Sequence, residues 1–154
     1  QILSLEIQRM PKNPQYEFGH LWEYPLRSVC TISTHDMATL RGWWEEDPAL
    51  TARYYNQVLG QWGEVPAIAP GWACEEIVRQ HLQSPSLLCI LAFQDWLSMD
   101  EELRYPDANA ERINVPANPR HYWRYRMHLT LEELMKKKAF NKKLTEMIDE
   151  TGRN

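Results

Sequence analysis

A chain of 154 residues has the length of one ordinary domain and can bury a core of its own. Its formal net charge of -4 and pI near 5.7 argue against a nucleic-acid partner, because phosphate binding needs a basic footprint. The longest apolar run, Leu87 to Phe93, is too short to span a bilayer, so no membrane partner is expected.

Ile2 to Arg9 carries Ile2, Leu3, Leu5 and Ile7 and reads as a strand that stops before Pro11. Pro11, Asn13 and Pro14 enforce a loop, and Phe18, Leu21, Trp22 and Tyr24 suggest that it packs. Ser28 to Ser33 is a second strand, and it ends at His35-Asp36. A short helix is predicted from Met37 to Glu46. Asp47-Pro48 supplies the N-cap and first turn of the next helix, which carries Leu50, Tyr54, Val58 and Leu59 on one face and should stop near Gly60.

Gln61 to Gly71 reads as a loop, and Trp72 to Leu82 as a helix with Ile77, Val78 and Leu82 turned inward. Ser86 to Phe93 has the near-continuous apolar run of a strand covered on both faces of a parallel sheet. Gln94-Asp95-Trp96 follows at its C-terminal end. Ser98 to Pro119 is a long polar loop containing Asn114 and Pro116. Thr130 and Glu133 form a capping box, after which Leu131, Leu134, Met135, Leu144, Met147 and Ile148 make a stripe on C-terminal helices of about residues 130-151.

Strands separated by helices give an α/β layout. In such a layout His35 and Asp36 stand together at the C-terminal end of a strand, where barrel enzymes place their chemistry. Each candidate polar residue also has a plain structural role open to it. Asp36 could cap a helix starting at Met37, Asp95 could cap the turn that follows it, and Asn114 could hold its own turn. Cys30, Cys74 and Cys89 are odd in number, and buried reduced thiols in a cytoplasmic protein account for them most simply. The histidines lack metal-ligand spacing, so no metal site is expected. The basic run around Lys136 to Lys138 reads as a solvated helix face.

Four stretches occur in an order that resembles one family. Thr34-His35-Asp36, with Thr39 and Gly42-Trp43-Trp44 after it, is similar to the Thr-His-Asp motif of the 4-α-glucanotransferases of glycoside hydrolase family 77, the amylomaltases and disproportionating enzymes. Ala110 to Pro116 resembles that family's Arg-x-Asn-x-Pro loop. His121 to Met127 resembles its Asn-Trp-x-Trp-Arg block, and Leu5 to Pro11 its preceding strand.

The resemblance implies the C-terminal part of a TIM (β/α)8 barrel, about three strands plus several helices, helix-rich when isolated. It makes residues 1-154 a single fragment, in keeping with a chain that opens on Gln1 with neither an initiator Met nor a leader. It implies retaining transfer of α-1,4-glucan segments between maltooligosaccharides and glucans, without a cofactor. Asp36 is carried over as the carboxylate that stabilises the transition state, and His35, Asp95 and Asn114 as substrate contacts. Neither the nucleophile nor the acid motif is visible here, so the piece alone should be inactive. Its open strand edges, Ile2 to Arg9 and Ser86 to Phe93, are expected to drive self-association. The alternative is a non-catalytic carbohydrate-binding or interaction module.

Overall fold

The computed structural model describes residues 3-153. Three short parallel strands lie in the order β1 (Ser4–Ile7), β2 (Ser28–Thr31) and β3 (Leu88–Cys89). Leu5 pairs with Val29, and Val29 with Leu88; one residue on, Glu6, Cys30 and Cys89 form the next row. Successive side chains point to opposite faces. The Glu6–Cys30–Cys89 row faces the helices, where the Cys30 thiol lies 3.2 Å from Ser84 Oγ.

The helices are α1 (Leu40–Glu46), α2 (Pro48–Gln57), α3 (Gly71–Leu82), α4 (Phe93–Leu97), α5 (Leu131–Lys136) and α6 (Lys138–Glu150). Asp47 caps α2 by accepting the amides of Ala49 and Leu50, with Pro48 in the first turn. Gly60 ends this segment with φ +63°, a conformation that side chains with a Cβ rarely adopt. Thr51 donates to the carbonyl of Trp44 at 2.8 Å, tying α2 to α1. The buried face of α3 is Ala73, Cys74, Ile77, Val78, His81 and Leu82. Together with Trp44, Tyr54, Ile32 and Leu97 it forms the main core.

Several expectations change. Ile2 lies outside the described residues, and the first strand is four residues long. The predicted long strand from Ser86 to Phe93 contracts to Leu88–Cys89, and α4 starts at Phe93. It is not covered on both faces: Leu88 is 42% and Ile90 59% exposed, and Leu5 on the other outer strand is 48% exposed. The sheet therefore has one bare apolar face. The first helix begins at Leu40 rather than Met37.

In the C-terminal helices the capping box of Thr130 and Glu133 is present. Only part of the predicted stripe packs. Met147 is buried, while Leu131 and Met135 are exposed on the short α5. Arg153 closes the layer by donating to the carbonyls of Leu82, Ser84 and Ser86, which pins the turn between α3 and β3. No helix among the described residues is long and apolar enough to cross a membrane.

Candidate active site

The turn between β2 and α1 carries His35 and Asp36 at its tip, both exposed. Three things fix its ends. Arg9, at the end of β1, donates through Nη2 to the carbonyls of Ile32 and Ala38 and to Ser33 Oγ, at 2.8, 3.1 and 2.8 Å. The Arg9 guanidinium is also stacked 5.0 Å from the Trp43 ring. Thr39 caps α1 by accepting the amide of Gly42, and Asp95 Oδ1 accepts the amide of Leu40 at 2.9 Å.

That last bond corrects the reading of Asp95. It is fully buried, its Oδ1 serves the N-terminus of α1, and burial pushes its carboxyl pKa up. It stands behind the exposed turn, with its side chain closed off from solvent. The same geometry removes the capping role from Asp36, because Thr39 and Asp95 already serve the first turn of α1.

Asp36 has two side-chain partners of its own. The Asn114 amide donates to Oδ1 at 2.7 Å, and His35 Nε2 lies 3.2 Å from Oδ2. Asn114 comes from the long loop, 78 residues further along. Its carbonyl accepts from Arg112 Nε at 3.1 Å, and Arg112 Nη1 is paired with Glu46 at the end of α1 at 2.8 Å. His121 Nε2 meets the carbonyl of Ile113 at 2.8 Å, and the Trp123 ring lies 5.2 Å from His35. The sequence reading thus brings three of its four site residues together.

Beneath the loop is a buried ion pair that sequence reasoning missed. Arg41 Nη1 lies 2.6 Å from Glu111 Oε1, with both side chains at most 3% exposed. Glu111 Oε2 accepts from Thr39 at 3.1 Å, Arg41 also donates to the carbonyl of Tyr105, and Gln94 donates to the carbonyl of Glu111. Burial pushes the Glu111 carboxyl up, against the pull of Arg41 and Thr39. Arg9, Arg41 and Glu111 look like surface charges in a linear reading, since charged residues are seldom fully buried unless paired.

A carboxylate held from both oxygens by neighbours, yet open to solvent, is set to accept hydroxyl groups without rearranging. Beside it a cavity of about 300 Å³ runs onto the bare sheet face past Val29, Thr34, His35, Ile90 and Ile113. The fold and this site are those of an α/β segment bearing a polar site at the C-terminal end of a parallel strand.

The family model described as 4-alpha-glucanotransferase matches residues 1–131. The chain is 39% identical over 153 residues to 4-alpha-glucanotransferase DPE2 of Oryza sativa subsp. japonica, covering 99% of this chain and 16% of that protein. It is 30% identical to a 4-alpha-glucanotransferase of Chlamydia caviae, covering 96% of this chain and 28% of that protein. Its fold is similar to an amylomaltase from Streptococcus agalactiae in complex with acarbose, with a TM-score of 0.64, 20% identity, and coverage of 96% of this chain and 27% of the other. The chain therefore belongs to the 4-alpha-glucanotransferase family, glycoside hydrolase family 77. It spans under a third of the length of these relatives.

Proposed function

We propose that this chain is the part of a 4-α-glucanotransferase that supplies the stabilising carboxylate, Asp36. The enzyme moves α-1,4-glucan segments between maltooligosaccharides and glucans with retention, in the cytoplasm, without a cofactor. The observation that carries this reading is the exposed Asp36 carboxylate, held by Asn114 and His35 at the strand end. Retaining transfer needs a nucleophile and an acid about 5 to 5.5 Å apart. Both come from segments of the enzyme other than this one, and the three strands form the C-terminal part of its (β/α)8 barrel.

In that arrangement Asp36 makes no covalent bond. It accepts hydroxyls of the distorted sugar and favours the oxocarbenium-like state by preorganised charge. His35 donates to a hydroxyl of the same ring, and Asn114 contacts the acceptor side while it orients Asp36. The bare row of Leu5, Val29 and Leu88 is closed by further barrel strands. Without them the same face draws two copies of the chain together. The free thiols agree with a reducing compartment. A non-catalytic binding module is the weaker reading, because the matched relatives are named as transferases.

The test is glucose release from maltose and maltotriose, with and without glycogen, by an enzyme containing this chain and by its Asp36→Asn variant. Activity that collapses in the variant supports the role of Asp36. Activity untouched by the change overturns it.

A further inference from the structure

A cavity of about 610 Å³ lies away from Asp36, and its lining shares no residue with the cavity beside His35. It runs between the loop that joins β1 to β2 and the surfaces of α2 and α3, on the helix side of the sheet. Its volume is within the range of about 300–1,000 Å³ typical of small-molecule sites.

One wall is a continuous aromatic stack. His20 is sandwiched between Tyr16, 4.1 Å away at 28°, and Trp22, 4.9 Å away at 13°. Trp22 is 74% exposed, an uncommon position for so large an apolar ring. Its stacking on His20, and that of His20 on Tyr16, sets the three rings in a row. The opposite wall presents the side chains of Gln57, Gln80 and Gln83. Gln57 and Gln83 are exposed and make no side-chain hydrogen bond within the described chain. Of the carboxylates in the lining, Glu17 is paired with Arg53, whose Nε donates to both oxygens at 2.8 and 3.0 Å, while Glu76 keeps its charge and accepts from the neutral amide of Gln80 at 2.9 Å. His20 faces Glu23 at 3.1 Å.

Flat apolar ring faces opposite free amides, with no unpaired cation, fit an uncharged polyhydroxylated ligand. An amide offers both a donor and an acceptor to neighbouring hydroxyls, while a pyranose ring lays its C–H face on an aromatic ring. An anionic ligand would find the carboxylates of Glu17 and Glu76 in its way. We infer that this groove is a second saccharide-binding site that holds a segment of α-glucan outside the cleft, with Trp22 as its platform. The choice of α-glucan rests on the functional reading above; the groove itself does not depend on Asp36.

The experiment uses the full chain. Its migration is followed in native gels containing glycogen, and the indole N–H signal of Trp22 is followed by NMR during titration with maltoheptaose, with the signal assigned from Trp22→Phe. The expected result is retardation by glycogen that is weakened about tenfold or more in Trp22→Ala, a change of about 1.4 kcal/mol. A weaker loss is expected in Gln80→Ala, and retardation is unchanged in Trp62→Ala, an exposed tryptophan outside the groove. Retardation kept in Trp22→Ala but lost in Asp36→Asn would place all binding in the cleft and overturn the second site. Equal retardation by dextran would overturn the choice of α-1,4-glucan. Loss of transferase activity in every enzyme containing this chain would sink the catalytic reading and leave groove binding to be judged by these gels.

Discussion

The side chain of Asn114 donates to Oδ1 of Asp36 at 2.7 Å across 78 residues of sequence. The partnership joins the tip of the β2–α1 turn to the long polar loop. It also explains why an exposed carboxylate holds one orientation, since its second oxygen is beside His35.

In an enzyme containing this chain, Asp36→Asn should lower kcat by roughly 10²-fold or more, as loss of a preorganised transition-state contact does. Asn114→Ala removes one bond to a charged group and should cost about tenfold in kcat/KM. Both are read from glucose release with maltose as donor and glycogen as acceptor.

Arg9 holds both ends of the same turn through one nitrogen. A lysine ends one bond shorter and has no planar face to lie over the Trp43 ring, so its ammonium cannot keep both the stacking and all three acceptors. Arg9→Lys should therefore leave buried acceptors unmatched, at about 1–3 kcal/mol for each one lost. The thermal midpoint should fall by about 2–4 °C per kcal/mol, and kcat should fall with it because the Asp36 turn loosens. An unchanged midpoint would show that the turn holds itself.

Glu111→Gln leaves the Arg41 cation buried without its anion. The expected loss is about 3 kcal/mol, read as a lower urea midpoint at unchanged slope. The Asn114 loop should then become more open to proteases, because Glu111 joins that loop to Thr39 and Arg41.

His81 is 1% exposed, and burial lowers its pKa from 6.5 to about 4. The unfolded chain then binds more protons than the folded one between these values, so stability falls as pH drops through that window. From pH 7 to pH 5 this one group should remove about 2 kcal/mol. Denaturant titrations of the chain and of His81→Leu at the two pH values test this, since the variant should lack that share of the drop.

The bare sheet face predicts concentration-dependent association of the chain. Leu88→Lys should reduce it, because a charge on an exposed edge strand opposes pairing. Light scattering that reports a monomer at all concentrations would count against this.

The chain alone determined the elements that depend on near neighbours. Asp47-Pro48 starts α2, Gly60 closes it, and Thr130 with Glu133 starts α5, because caps and turns are set within a few residues. The order of the family motifs likewise marked His35, Asp36 and Asn114. What the tertiary structure decided is the work of each polar group. The helix-starting roles went to Thr39 and Asp95, which left Asp36 free. Arg41 and Glu111 turned from apparent surface charges into buried supports of the site, and Arg9 into a half-buried one. The run from Ser86 to Phe93 looked like a fully covered strand, yet it is a two-residue edge strand with a bare face. In each case the outcome depends on residues far away in sequence, and burial and partnership over such distances exist only once the chain has folded.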